Sequence, residues 1–166
     1  KGTKHEYISF LEEESKKNRV KYLSRIKIKT PEAKPYSHEE MKKGIPTLLE
    51  ANFTFGELEA YADVLTRVEQ SSSQKRHNYI PTIVVGTHKI SKEQKLLLGF
   101  TGYVLSKLQK EKVFWGTIVG KGDQPHTIKL EHLYKKIESS LIELRMWTSP
   151  QPPESPPIIL NKHCPL

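Results

Sequence analysis

Three consecutive polar residues, Thr87, His88 and Lys89, follow a run of β-branched and apolar residues that begins at Tyr79. Such a run is typical of a strand that is buried on both faces of a sheet. The strand fixes polar side chains at its end while the rim of the sheet stays wet, which is a common place for chemistry. The same pattern also fits a strand that simply leaves the core at this point.

Two further residues could take part in chemistry. Asp63 lies in a predicted strand, where alternation places it on one face with Tyr61 and Leu65. An Asp on an apolar face is costly unless it is paired or bound to a cation. Its position therefore indicates a sheet edge, an ion pair with Arg67, or a functional role. His5 opens the first predicted helix, where it is either a solvated side chain or a metal ligand.

The elements that must position these residues alternate between helical and strand patterns. Ser37 and Glu40 fit a capping box, and Ser91 with Gln94 fits a second one. A polar stretch over 70–78 is typical of a mobile loop. The predicted elements are a helix over 1–29, a helical turn over 37–43, strands over 47–55, 59–69 and 79–89, a helix over 91–110, strands over 112–120 and 126–130, and a helix over 131–147.

This order predicts the fold class. Three consecutive strands favour an antiparallel meander, and the helix over 91–110 is long enough to cross over to a parallel strand. The sequence therefore predicts an α/β domain with a mixed central sheet, the 79–89 strand in its interior and helices covering it. Gly99 and Gly102 could let the helix that contains them lie close against the sheet.

Composition sets broader limits. The chain has 166 residues, one cysteine and a formal net charge of +8, so we expect a single domain without an internal disulfide. A polyanionic partner such as DNA fits this charge, although the lysines are spread along the chain. No apolar run reaches the length of a membrane span and no signal peptide opens the chain, which favours a cytoplasmic protein.

The chain divides into a core and a tail. Residues 1–147 contain all the predicted elements, whereas residues 148–166 form a proline-rich, extended segment that ends near Cys164. The first residue is Lys1 and not Met, and the interpretation is a fragment of a longer chain.

The order of these elements, together with several short motifs, resembles the RecB-type nuclease domain of the PD-(D/E)XK superfamily. The resemblance extends to the subgroup that carries a terminal cysteine cluster and is often joined to a helicase. It covers nearly the whole chain, and its order and spacing are more specific than any single motif. The motifs are Gly2 to Glu6, Ala60 to Asp63, Gly86 to Lys89, Phe100 to Leu105 with Tyr103, and Asn161 to Pro165.

The resemblance implies a restriction-endonuclease-like core and a DNA-cleaving site. In active members of the family, residues that match His5 and Asp63 bind a divalent metal ion, Mg²⁺ or Mn²⁺. The residue that matches Lys89 stabilises charge on the attacked phosphate. Such an ion can activate water and polarise phosphate, while a nearby lysine offsets the developing charge.

Two departures weaken that implied site. The acid expected two residues before the lysine is Thr87, and the glutamine expected four residues before Tyr103 is Gly99. A hydroxyl in place of a carboxylate removes negative charge on which cation affinity depends. Glu50 or Glu93 could in principle supply a displaced acid.

The tail carries a third departure. The resemblance implies an iron–sulfur cluster, which needs about four thiolates, and this chain supplies only Cys164. The cluster would be completed elsewhere in a longer chain, or Cys164 is a lone exposed thiol.

Three functions therefore remain. The first is a metal-dependent DNA nuclease with a relocated acid. The second, which Thr87 and Gly99 favour, is a RecB-like domain with weak or lost cleavage that binds DNA or positions a partner such as a helicase. The third is a basic α/β domain with only a protein partner.

Overall fold

The chain forms an α/β domain with a six-stranded mixed sheet flanked by helices. The computed structural model describes residues 6–68 and 77–151. The elements are α1 (Glu6–Lys29), β1 (Lys34–Pro35), α2 (His38–Lys43), β2 (Thr47–Phe55), β3 (Leu58–Val68), β4 (Asn78–Val84), α3 (Lys92–Gln109), β5 (Trp115–Val119), β6 (Pro125–Lys129) and α4 (Glu131–Trp147).

The strands lie in the sheet in the order in which they occur in the chain. β2, β3 and β4 form the predicted antiparallel meander, α3 crosses over to β5 parallel to β4, and β6 returns antiparallel to β5. β4 is an interior strand with nearly every residue buried, as the β-branched run predicts. The mixed sheet of the predicted fold class is thereby confirmed.

Local signals explain where α2 and α3 begin. The Ser37 side chain accepts the backbone N–H of Glu40 at the start of α2. Ser91 and Gln94 form the predicted reciprocal capping box at the start of α3. Gly99 and Gly102 differ from expectation, because a Cβ on either would meet side chains of Leu130 or Leu133, which belong to α4 or the turn before it. These glycines let α3 approach α4 and not the sheet.

The core has two parts. The larger part lies between the sheet and helices α3 and α4, and it includes Leu48, Leu65, Leu98 and Ile118. The smaller part lies between α1 and the sheet and joins Leu23 to Leu49 and Val64. α1 therefore depends on few apolar contacts, and polar contacts at its inner face carry much of its attachment.

Strands β2 and β3 share a local distortion. Ala62 and Leu65 both belong to the larger core although strict alternation would put them on opposite faces, and Val64 belongs to the smaller one. β2 shows the same offset at Glu50, whose φ is 53°. Glu50 and Asp63 lie opposite each other, between the pairs Leu49–Val64 and Ala51–Ala62. The register of the two strands is therefore the same on both sides, although the alternation of side chains between the two faces shifts by one residue in each strand.

The C-terminal end of β4 differs from the prediction. The strand ends at Val84, and Thr87, His88 and Lys89 belong to the loop between β4 and α3. Val85 still donates its N–H to the carbonyl of Val119 at 2.9 Å, but no ladder continues after Gly86. The predicted strand is therefore too long, because Gly86 leaves the sheet.

Parts of the prediction lie outside the described residues. These are most of the 70–78 loop, the tail from residue 152 onward, and the first five residues. In the described ranges, no helix combines the length and apolar character that crossing a membrane requires.

Leu23→Ala should lower the free energy of unfolding by about 2–3 kcal/mol, because it leaves a cavity in the small core under α1. Val20→Ala is the matched control on the same helix, since Val20 is 66% exposed, and its effect should stay within about 0.5 kcal/mol. Urea denaturation followed by circular dichroism measures both variants. Equal effects would show that α1 does not pack on the sheet through Leu23.

Candidate functional site

The candidate site lies where β3 and β4 separate. The two strands pair from Val68 and Asn78 to Val64 and Thr82, and no pair follows. Asp63 is the next residue along β3, at this fork, and it is 3% exposed. An open cavity of about 530 Å³ begins at the fork, within the size range of small-ligand pockets.

Both carboxylate oxygens of Asp63 have partners. Oδ2 accepts the backbone N–H of Val84 at 2.6 Å, so the side chain bridges the gap between the two strands. Oδ1 lies 2.5 Å from Nε of Arg19 and accepts the Tyr61 hydroxyl at 3.3 Å. A buried charge needs such partners, and here α1, β3 and β4 each supply one.

Arg19 holds α1 against the fork. Its guanidinium lies 4.5 Å above the centre of the Tyr61 ring, and one of its terminal nitrogens is 3.7 Å from Oε1 of Glu50. The shared distortion of β2 and β3 brings Glu50 opposite Asp63, so one cation faces two carboxylates. The guanidinium thus occupies the position at which a charge-neutralising cation is needed.

Burial dominates the electrostatics of Asp63. It raises the pKa of the Asp63 carboxyl above its ordinary value, while the Val84 N–H and the Arg19 guanidinium lower that pKa by less. The nearby Glu50 carboxylate raises it further. The ion pair therefore compensates only part of the desolvation of Asp63.

The cavity has two unlike walls. One is polar and comes from α1 and β2–β3, with Lys16, Asn52 and Glu59 beside the Asp63 cluster. The other is apolar and comes from the end of β4, from Val85 directly after it, and from α3 with Phe100. The positive charges at this site belong to α1, whereas the resemblance implies a lysine from the strand opposite Asp63.

The structure does not bring Thr87 or Lys89 into this cavity. Thr87 lies in the loop after β4 and accepts a hydrogen bond from Nε2 of Gln94 at 3.1 Å. Lys89 is exposed in the same loop, and neither residue lines the cavity around Asp63. His5 and Cys164 lie outside the described residues.

The expected partner of Asp63 was also different. Arg67, the partner considered from sequence, donates from Nη1 to the carbonyl of Gly44 near the end of α2, away from the fork. The distortion at Asp63 moves Leu65 to the opposite face, so the predicted face of Tyr61, Asp63 and Leu65 does not form.

The described residues do not fit a divalent metal ion at Asp63. Hard cations take charged oxygen ligands with free lone pairs, and the two Asp63 oxygens already accept three groups, from Val84, Arg19 and Tyr61. At the end of β4 and directly after it, Ile83, Val84 and Val85 line the cavity and offer no side-chain ligand. Within residues 6–68 and 77–151, no group of three or more His, Cys, Asp or Glu side chains is placed to hold a metal.

No protein-family model matches this chain, and no curated protein matches it at a significant level of similarity.

The sequence contained a signal for Arg19 that the helix pattern alone did not use. Arg19 precedes Leu23 by four residues and Ile26 by seven, so it shares the apolar face of α1 that meets the sheet. A charged residue on such a face requires a buried counter-charge. Asp63 is the acid that the strand pattern placed on an apolar face, where it needs a partner.

A double-mutant cycle measures this pair. Arg19→Ala should lower the free energy of unfolding by about 2–3 kcal/mol because it leaves Asp63 charged and buried without its counter-ion. The combined Arg19→Ala and Asp63→Ala variant should lose less than the sum of the single changes, by about 1–3 kcal/mol. Lys27→Ala on the exposed side of α1 is the control. Additive losses would show that the two side chains do not interact.

The pH dependence of stability has a definite sign. Because the native pKa of Asp63 is raised, the native state takes up this proton at a higher pH than the unfolded chain. The native state is therefore favoured as pH falls through the range just above the ordinary carboxyl pKa. Relative to Asp63→Asn, the wild type should gain stability as the pH is lowered from neutral towards the ordinary carboxyl pKa. A loss relative to Asp63→Asn on acidification would contradict the dominance of burial.

Proposed function

We propose that this chain is a RecB-like, PD-(D/E)XK nuclease-fold domain that binds DNA and has weak or lost metal-dependent cleavage. The resemblance rests on the order helix, three strands, helix, two strands and helix, and α1, β2–β4, α3, β5–β6 and α4 follow that order, with the short β1 and α2 inserted after α1. The mixed sheet with β4 in its interior supports the same assignment.

The Asp63–Arg19 pair carries the proposal of weak or lost cleavage. Asp63 matches the acid that binds metal in active members of the family, and here it faces a guanidinium at 2.5 Å. A fixed positive charge in this position offsets the carboxylate without any ion. The ion pair keeps the fold intact, but it occupies the Asp63 carboxylate that metal-dependent cleavage requires as a metal ligand.

The C-terminal half of α1 supports DNA binding. Residues 16–29 contain seven Lys or Arg and no Asp or Glu. Within the described part of the chain, Lys16, Lys21, Lys27 and Lys29 have no carboxylate partner within ion-pairing distance. Unpaired surface lysines on one helix are suited to phosphate contacts, which are independent of base sequence.

This basic half adjoins the cavity at the fork. Lys16 lines that cavity, and Arg19 on the next turn holds Asp63. A nucleic-acid strand that runs along α1 would therefore pass the mouth of the cavity, with the apolar wall of Leu97 and Phe100 on the other side. The site is suited to holding a nucleic-acid strand between a basic wall and an apolar wall.

One observation favours the alternative of an active nuclease. Glu50 lies opposite Asp63 in the paired distortion, and its carboxylate is 3.7 Å from Arg19. If Arg19 moved away, Glu50 would be the relocated acid. A helicase in the same chain and an iron–sulfur cluster that includes Cys164 remain part of the proposal for the full-length protein.

DNA binding should weaken as salt rises, with a linear relation between the logarithms of affinity and salt concentration. Changing Lys16, Lys27 and Lys29 together to Gln should reduce the size of that slope by about 2–3. The control changes Lys107, Lys110 and Lys135 to Gln, which lowers the net charge by the same amount at the end of α3 and on α4. Fluorescence anisotropy measures both. Identical slopes for the two triple variants would place DNA elsewhere, and no binding at low salt would leave only a protein partner.

Cleavage is tested separately with single- and double-stranded DNA in Mg²⁺ and in Mn²⁺. We expect the wild type to leave both substrates intact or nearly so, and Asp63→Asn to behave in the same way. Robust cleavage that disappears in both Asp63→Asn and Glu50→Gln would contradict the proposal and establish the alternative.

A further inference from the structure

A second, basic cavity of about 380 Å³ lies where α1 meets the loop after β4 and the turn between β5 and β6. Lys17 and Lys21 enter it from α1, Lys121 from the turn, and His88 from the loop. None of these residues lines the cavity at Asp63. The cluster therefore forms a site that the metal chemistry considered above does not use.

Hydrogen bonds fix the three segments around this cavity. The side-chain amide of Asn18 donates to the carbonyls of Val85 at 2.6 Å and Gly120 at 3.3 Å. The backbone N–H of Lys121 donates to the carbonyl of Thr87 at 2.9 Å. These contacts hold the helix, the loop and the turn together, so the positive charges converge without a ligand.

The charge of the cavity is unbalanced. Glu14 is its one carboxylate, with Oε2 at 3.0 Å from Nζ of Lys121 and Oε1 at 3.6 Å from Nζ of Lys17. Hydrogen bonding to Lys121 lowers the pKa of Glu14, which keeps that carboxylate charged. Three lysines against one glutamate leave two positive charges, and Lys21 has no carboxylate partner in the described residues.

We propose that this cavity binds a phosphate group that carries two negative charges, such as the terminal phosphate of a nucleic-acid strand. A phosphomonoester has a charge of about −1.5 to −2 near neutral pH and accepts several hydrogen bonds, which matches the excess of two positive charges. An internal phosphodiester supplies only one charge. The strand as source of the phosphate rests on the proposed function, whereas a free mononucleotide would present the same group.

The test compares one short single-stranded oligonucleotide with a 5′-phosphate, a 3′-phosphate or hydroxyl ends. The wild type should bind one phosphorylated form about tenfold more tightly than the hydroxyl form. Lys121→Gln, and Lys17→Gln combined with Lys21→Gln, should abolish that preference. Lys135→Gln on α4 is the control and should retain it.

Glu14→Gln separates an anion site from a structural clamp. In an anion site, loss of the carboxylate removes repulsion, so Glu14→Gln should strengthen binding of the phosphorylated end while Lys121→Gln weakens it. If the ion pairs only hold α1 in place, both variants should weaken binding alike. Melting temperatures of the two variants identify any loss of folding.

The outcomes distinguish this inference from the proposed function. DNA binding by the wild type without any preference for a phosphorylated end overturns the inference and leaves DNA binding intact. A different outcome is that the protein binds adenosine monophosphate through Lys17, Lys21 and Lys121 and binds no oligonucleotide. That result supports the cavity as a phosphate site and excludes a nucleic-acid strand as the source of the phosphate. Equal affinities of Lys121→Gln and Lys135→Gln for every ligand also overturn the inference.

Discussion

The buried Asp63 carboxylate constrains the rest of the structure. β3 and β4 separate beside it, and the backbone N–H of Val84 would lose its partner without the Asp63 side chain. Because burial penalises the charge, a cation has to approach, and α1 supplies it as Arg19 at 2.5 Å. The small apolar cluster around Leu23 positions the helix that carries this arginine. Packing of α1 and neutralisation of Asp63 thus depend on each other.

This arrangement brings two carboxylates together in the α/β domain, although the described residues contain no group of three or more metal-ligating side chains. The paired distortion at Glu50 and Asp63 brings two carboxylates to one point, which is the arrangement that a divalent ion would need. The guanidinium lies between them and offsets their charge with a covalently attached group. The positive charges that remain on α1 face solvent, where phosphates are accessible.

Much of the fold could be predicted from sequence because its signals are local. The β-branched run of β4, the Ser91–Gln94 box and the apolar periodicity of α4 each identify an element without tertiary information. The mixed sheet then follows from the helix between β4 and β5. The predicted end of β4 was wrong, because the pairing stops before Thr87, at Gly86. Polar residues after an apolar run do not show whether they still belong to the strand.

The candidate site was less predictable because its contacts are long-range. Asp63 could be marked as anomalous, but strict alternation named Arg67, whereas the distortion shared with Glu50 turns Asp63 towards Arg19 of α1. A positive φ at a glutamate within a strand has no local sequence signal. Thr87 and Lys89 were singled out as polar residues at the end of a predicted buried strand and given roles by the resemblance, and their loop position follows from where β4 ends.

The most direct test of this account is calorimetric titration of Mn²⁺ into the wild type and the Asp63→Asn variant. If Arg19 is the permanent counter-ion of Asp63, the two proteins should give the same result, with no saturable binding that depends on Asp63. Stoichiometric Mn²⁺ binding by the wild type that is lost in Asp63→Asn would show that an ion displaces the guanidinium, and would contradict the account.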